Sequence, residues 1–184
     1  MKTLIIIANP SKKSFSHAMA EKYSKKCEEF EILDLYDFNQ NFFKYESMEE
    51  LKKWNVEGVE RIKEIQNKIT SCDEIAFFFP VWWWGVPAIL KNFFDSNFSS
   101  WFAFEYWKWW KVTKLLTWKT AKIFTTCDAP WFIYKFPFFV WINLKKFLNK
   151  TTFDFCWIKL TEFKMLSNFH NKNDEEKKEF LKNI

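Results

Sequence analysis

Phe77–Asp95 reads FFFPVWWWGVPAILKNFFD, and the order of residue types along it decides the fold. Ile75-Ala76-Phe77-Phe78-Phe79 is an unbroken apolar run with the length of a strand buried on both faces, as in a parallel sheet, and Pro80 stops it. An aromatic loop follows. Pro87 is predicted at a first helical position, where its missing N–H costs nothing, and Ala88 to Asp95 continues with helical spacing of apolar residues. Strand, loop and helix start in that order make a ligand-binding corner of an open α/β sheet.

Upstream, the apolar stretch Thr3 to Ala8 predicts a first, central strand. Asn9 to Ser16 is a polar loop without a G-x-G-x-x-G pattern, and a helix is predicted from His17 to Cys27. Two readings fit these residues alone: a phosphate cradle at a helix N-terminus, or a plain helix start capped by Ser14 or Ser16. Glu31 to Leu35 predicts a short second strand near an edge, and Asp37 to Ser47 is irregular. Met48 to Thr70 reads as one helix with Val56, Val59, Ile62, Ile65 and Ile69 on its core stripe.

Downstream, Phe98 to Leu116 is a long connection of the kind that is usually functional. A fourth strand, Ala121 to Thr126, leads into Thr125-Thr126-Cys127-Asp128. A helix over Phe138 to Leu148, a fifth strand over Phe153 to Ile158 and a charged helix over Asp174 to Asn183 complete the chain. The expectation is one α/β domain, residues 1–184, with a doubly wound five-stranded parallel sheet in the order 2-1-3-4-5 and helices on both faces. A ligand then belongs between strands one and three.

Composition narrows the function. With 48% hydrophobic and 28% charged residues the chain reads as globular, and no window holds the roughly 18 uncharged apolar residues of a membrane span. The net charge of +5 is dispersed lysine, with Arg61 the single arginine, which argues against nucleic acid. Cys27, Cys72, Cys127 and Cys156 are far apart and His17 and His170 are the only histidines, so reduced thiols in a cytoplasmic protein without a metal site are expected.

The phrase FPVWWWGVPAILKNFFD followed by Trp101-Phe102-Ala103-Phe104 resembles the flavodoxin-like NAD(P)H:quinone oxidoreductases, and the resemblance runs from Leu4 to about Phe163. It implies a tightly bound FMN or FAD, NAD(P)H as co-substrate, a quinone or similar flat acceptor, and a homodimer. It places flavin contacts at Asn9, Ser14, Phe15 and Ser16, at Pro80, Val81, Trp82, Trp83 and Trp84, and at Thr125, Thr126, Cys127 and Asp128. Backbone donors from Val81 to Trp84 would face the ring, Trp83, Phe104 and Tyr106 would line the acceptor slot, and Tyr134 would donate a proton or stabilise the hydroquinone anion. Asn9 stands where the family usually has histidine, and Ser16 where asparagine is common. A flavin-binding electron carrier, a regulatory subunit of a potassium-efflux system and a degenerate domain without flavin are the alternatives.

The chain has 2 glycines and 12 tryptophans, where average usage predicts about 13 glycines. Several tryptophans stand where turns need a residue with φ > 0: Trp101, Trp118, Trp157, and Trp107, Trp109 and Trp110 in the connection after Phe104. The expectation is a source in which UGA encodes glycine, written out as tryptophan; the alternative is that all twelve tryptophans are real. Trp82 and Trp83 read as genuine aromatics beside the flavin, while Trp54, Trp84, Trp131 and Trp141 are open.

Overall fold

A computed structural model describes residues 1–37, 44, 49–50, 58–107, 111–130 and 143–184. In chain order its elements are β1 (Lys2–Ile7), α1 (Phe15–Ser24), β2 (Glu29–Asp34), α2 (Val59–Ser71), β3 (Glu74–Pro80), α3 (Ala88–Asn97), β4 (Phe104–Trp107) and β5 (Lys111–Lys114). They continue with β6 (Thr120–Cys127), α4 (Leu144–Leu148), a π-helical turn (Asn149–Phe153), α5 (Asp154–Cys156), β7 (Lys159–Ser167), a 3-10 turn (Phe169–Asn171) and α6 (Asp174–Lys182).

The main sheet is parallel in the order β2-β1-β3-β6-β7. With β6 and β7 as its fourth and fifth strands, it is the expected 2-1-3-4-5 sheet. Alternation along the strands sends side chains to two cores. Leu4, Ile6, Ala8, Ile75, Phe77 and Phe79 pack with α2, α3 and α4, while Ile5, Ile7, Ala76 and Phe78 pack with Met19, Ala20 and Tyr23 of α1. Phe180 and Leu181 of α6 cover that second face. The run Ile75 to Phe79 is no more than 1% exposed, as a central parallel strand requires.

Four expectations are corrected. The stretch Met48 to Thr70 is not one helix, because Gly58 adopts φ +78° and α2 starts after it at Val59. The connection after Phe98 is not a plain loop: β4 and β5 form an antiparallel pair, Phe104 opposite Lys114 and Trp107 opposite Lys111. The fifth strand is Lys159–Ser167, not Phe153 to Ile158. Phe153 and Cys156 are helical core residues, with the Phe153 ring 5.6 Å from that of Phe77, whereas the strand itself is a charged sheet edge. The described part of the helix expected over Phe138 to Leu148 starts at Leu144, capped by Asn143, whose side chain accepts from the Lys146 amide.

Five tryptophans have a left-handed backbone: Trp83 at φ +47°, Trp84 at +63°, Trp101 at +72°, Trp118 at +71° and Trp157 at +69°. Trp83 and Trp84 are the central pair of a two-residue turn closed by Trp82 N–H to Gly85 O at 3.1 Å and Gly85 N–H to Trp82 O at 2.9 Å. Positive φ at both centres is the type I′ turn, which favours Asn-Gly or Gly-Gly. Trp107, in contrast, sits in extended β4. Trp109 and Trp110, and likewise Trp54, Trp131 and Trp141, lie outside the described residues.

Candidate functional site

The loops after β1, β3 and β6 leave the sheet at the same end, and the crossover order reverses between β1 and β3. Doubly wound sheets bind their ligands at such a point. Ala8 N–H donates to Phe78 O at 2.9 Å and Val81 N–H to Thr126 O at 2.7 Å, which ties the three strand ends together. Thr125 is fully buried, and its hydroxyl donates to Phe79 O at 2.6 Å.

A cleft of about 380 Å³ opens above these ends, within the range of small-ligand and cofactor sites. It is lined by Asn9, Ser14, Phe15 and Ser16 from the first loop, Pro80, Val81 and Trp82 from the second, and Thr126, Cys127 and Asp128 from the third. Lys13, Phe169 and His170 also line it, and the sequence reading named none of these three for the site. Phe169 and His170 follow β7, so the misplaced fifth strand hid them. Phe169 packs at a tilt against Phe15 with ring centroids 5.2 Å apart, and His170 Nδ1 lies 2.5 Å from Asp128 Oδ1.

The first loop is organised by its polar side chains. Asn9 Oδ1 accepts from the Ser11 amide at 3.0 Å, and Asn9 Nδ2 donates to Ser16 Oγ at 3.4 Å. Ser14 is the N-cap of α1, its Oγ accepting from the His17 amide at 3.4 Å. A capped start leaves the Phe15 and Ser16 amides without intrahelical acceptors. Those amides, the helix dipole and Lys13 together suit an anion. The capped helix start is thus observed, and it is compatible with an anion at the same place.

Other expected residues fall elsewhere. Trp83 is 97% exposed and Trp84 sits beside it in the turn, and neither lines the cleft. Val81 and Trp82 already donate their amides inside the protein, so two of the four expected ring donors are engaged. Phe104 packs edge-on to Phe155 at 4.8 Å and Tyr106 to Phe104 at 5.3 Å, outside the cleft. Tyr134 lies outside the described residues.

A larger cleft of about 550 Å³ opens at the other end of the sheet, lined by Tyr23, Lys26, Lys122 and Glu162 among others. It lies at the strand N-termini, where doubly wound sheets do not bind their ligands, and its polar groups are internally paired. Buried Glu74 accepts from the Tyr23 hydroxyl and lies 3.2 Å from Lys122 Nζ. Among the described residues no cluster of His, Cys, Asp and Glu is arranged to hold a metal, and no helix is long and apolar enough to cross a membrane.

Comparison with known proteins agrees with this geometry. An uncharacterized NAD(P)H oxidoreductase of Haemophilus influenzae is 32% identical over 98% of this chain and 91% of its own length. NAD(P)H dehydrogenase [quinone] 1 of Cavia porcellus is 32% identical over 57% of this chain and 46% of its own. A solved structure, Smu.1420 from Streptococcus mutans UA159, superposes with a TM-score of 0.87 at 28% identity, covering 100% of this chain and 96% of that one. The description "Flavodoxin-like fold" matches residues 1–184, and the chain belongs to that family.

Proposed function

We propose that this protein is an NAD(P)H-dependent oxidoreductase whose cleft holds a tightly bound FMN or FAD and which reduces a quinone or similar flat acceptor. One observation carries the reading: three loops distant in sequence, each expected to touch a flavin, converge on one cleft at the switch point of the sheet. The donor set fits the group, since an anion-suited helix start stands at one side and the Pro80-Val81-Trp82 wall at the other. The relatives named above support the nicotinamide and quinone parts of the reading.

A flavin held in the cleft would supply the redox chemistry between nicotinamide and acceptor. The chain's own residues position and shield. Lys13 with the Phe15 and Ser16 amides would hold the phosphate, and Trp82, 43% exposed, lines the cleft wall. Phe104 and Tyr106 stand outside the cleft, and a homodimer is proposed from the family resemblance. Tyr134 is the proposed proton donor.

The test is a visible spectrum of the purified protein followed by NADH and NADPH oxidation with and without a soluble quinone. Flavin absorption and quinone-dependent oxidation are expected. Flavin without nicotinamide oxidation would make the protein an electron carrier or regulatory subunit. No flavin would leave a degenerate domain.

A further inference from the structure

Behind the first loop runs a chain of hydrogen bonds that the proposed function does not use. Ser14 Oγ lies 2.8 Å from His17 Nδ1, and His17 Nε2 lies 2.7 Å from Asp34 Oδ2. Burial alone would raise the Asp34 carboxyl, but hydrogen bonds from Lys12 and His17 outweigh it and hold it below the usual carboxylate range. Lys12 Nζ stands 2.5 Å from Asp34 Oδ2, and the Tyr36 amide donates to Oδ1 at 3.0 Å. Asp34 therefore accepts, and Nε2 of His17 carries a proton in both charge states of the ring.

What changes with charge is Nδ1. In the neutral ring Nδ1 accepts, so the Ser14 hydroxyl turns its proton inward and shows the cleft only lone pairs. In the imidazolium Nδ1–H donates to Ser14 Oγ. That oxygen also accepts from the His17 amide, which leaves its own proton directed outward. An anion in the cleft meets a donor in the second state and a repelling lone pair in the first.

We propose that His17 is a positioning residue that sets the direction of the Ser14 hydroxyl, so that capture of the flavin phosphate is coupled to uptake of one proton by the imidazole. The coupling rests on the flavin reading above. The other charged groups near the ring are Asp37, which is 2.6 Å from Lys12, and Glu21 one turn along α1. Lys13 stands beside Ser14 on the same loop, and the Asp128–His170 pair lines the cleft as well. A second imidazole, His170, lines the same cleft, so the test compares variants rather than pH alone.

Wild-type protein, His17→Gln and Ser14→Ala are freed of flavin and titrated with FMN and with riboflavin from pH 5.5 to 8.5, reading quenching of flavin fluorescence. Riboflavin lacks the phosphate, so the ratio of the two affinities isolates the loop. The phosphate's own second ionisation, near pH 6, acts equally in all three proteins. In wild type the ratio, relative to His17→Gln, rises about tenfold as pH falls from 8 to 6, the worth of one charge-assisted hydrogen bond. Ser14→Ala loses that rise while keeping His17. FMN binding with the same pH profile in wild type and His17→Gln overturns the coupling and leaves the flavin reading standing. Absence of binding by either flavin at every pH overturns both.

A second inference stands on the backbone alone. Trp84, Trp101, Trp118 and Trp157 all adopt left-handed φ, with side chains 37% to 95% exposed, a backbone conformation that suits glycine and strains a residue with a Cβ. We infer that these four residues are glycine in the protein as its source makes it, through UGA read as glycine. Intact mass and a peptide map of protein isolated from its own cells test this. A mass below 22.6 kDa, with glycine in those four peptides, is expected. A mass of 22.6 kDa overturns it. Trp83, at the smallest of the angles, is decided by its own peptide.

Discussion

Asp34 ends β2 and receives Lys12, His17 and the Tyr36 amide, so one carboxylate anchors the cleft's first loop to the sheet. Because Lys12 is half exposed, that pair is discounted for solvent screening, and Asp34→Asn is expected to cost about 1–2 kcal/mol at pH 7. A depressed carboxyl stabilises above its unfolded value and loses that contribution as pH falls through the folded one. The gap between wild type and variant in urea denaturation therefore shrinks below about pH 4. Trp118 and Trp157 make the opposite case. Their left-handed backbone carries strain of about 1–3 kcal/mol each, so Trp118→Gly and Trp157→Gly each raise the urea midpoint. Burial pushes the Cys156 thiol up to about 12. In folded protein at pH 8, iodoacetamide leaves Cys156 unmodified, and labelling appears only on unfolding.

Among the elements, β3 carries the largest packing load. The Phe77 ring lies 6.4, 5.5 and 5.6 Å from those of Phe93, Phe94 and Phe153. Phe77→Ala opens a cavity between β3, α3 and the helical run before β7, and is expected to cost about 3–5 kcal/mol with an unchanged denaturant slope. The apolar run of β3 and the Pro87 start of α3 were legible because a central strand and an amphipathic helix write their burial into residue type. The edge strand β7 was not, since half-exposed lysine and glutamate positions carry no such record. Gly58 as a helix boundary was obscured by an apolar stripe that continued across it.

For the whole molecule, a ligand that binds only the folded state stabilises it by mass action. FMN at a hundred times its dissociation constant is expected to add about 2.7 kcal/mol, and riboflavin at its own hundredfold excess the same. A scan of unfolding temperature against flavin concentration checks this without any turnover assay, and an unmoved midpoint would count against the cofactor. Sequence alone determined the strand order, the doubly wound class and most of the cleft lining. Strand ends at a switch point follow from hydrophobic periodicity and right-handed connections, which are local or chiral rules. Only the tertiary structure decided that Lys13, Phe169 and His170 share the cleft, that Phe104 and Tyr106 stand away from it, and that His17 bridges Ser14 to Asp34. Those juxtapositions join residues up to 161 positions apart, as Asn9 and His170 are (170 − 9). Side-chain meeting at that separation is set by packing of whole elements and leaves no periodic trace along the chain.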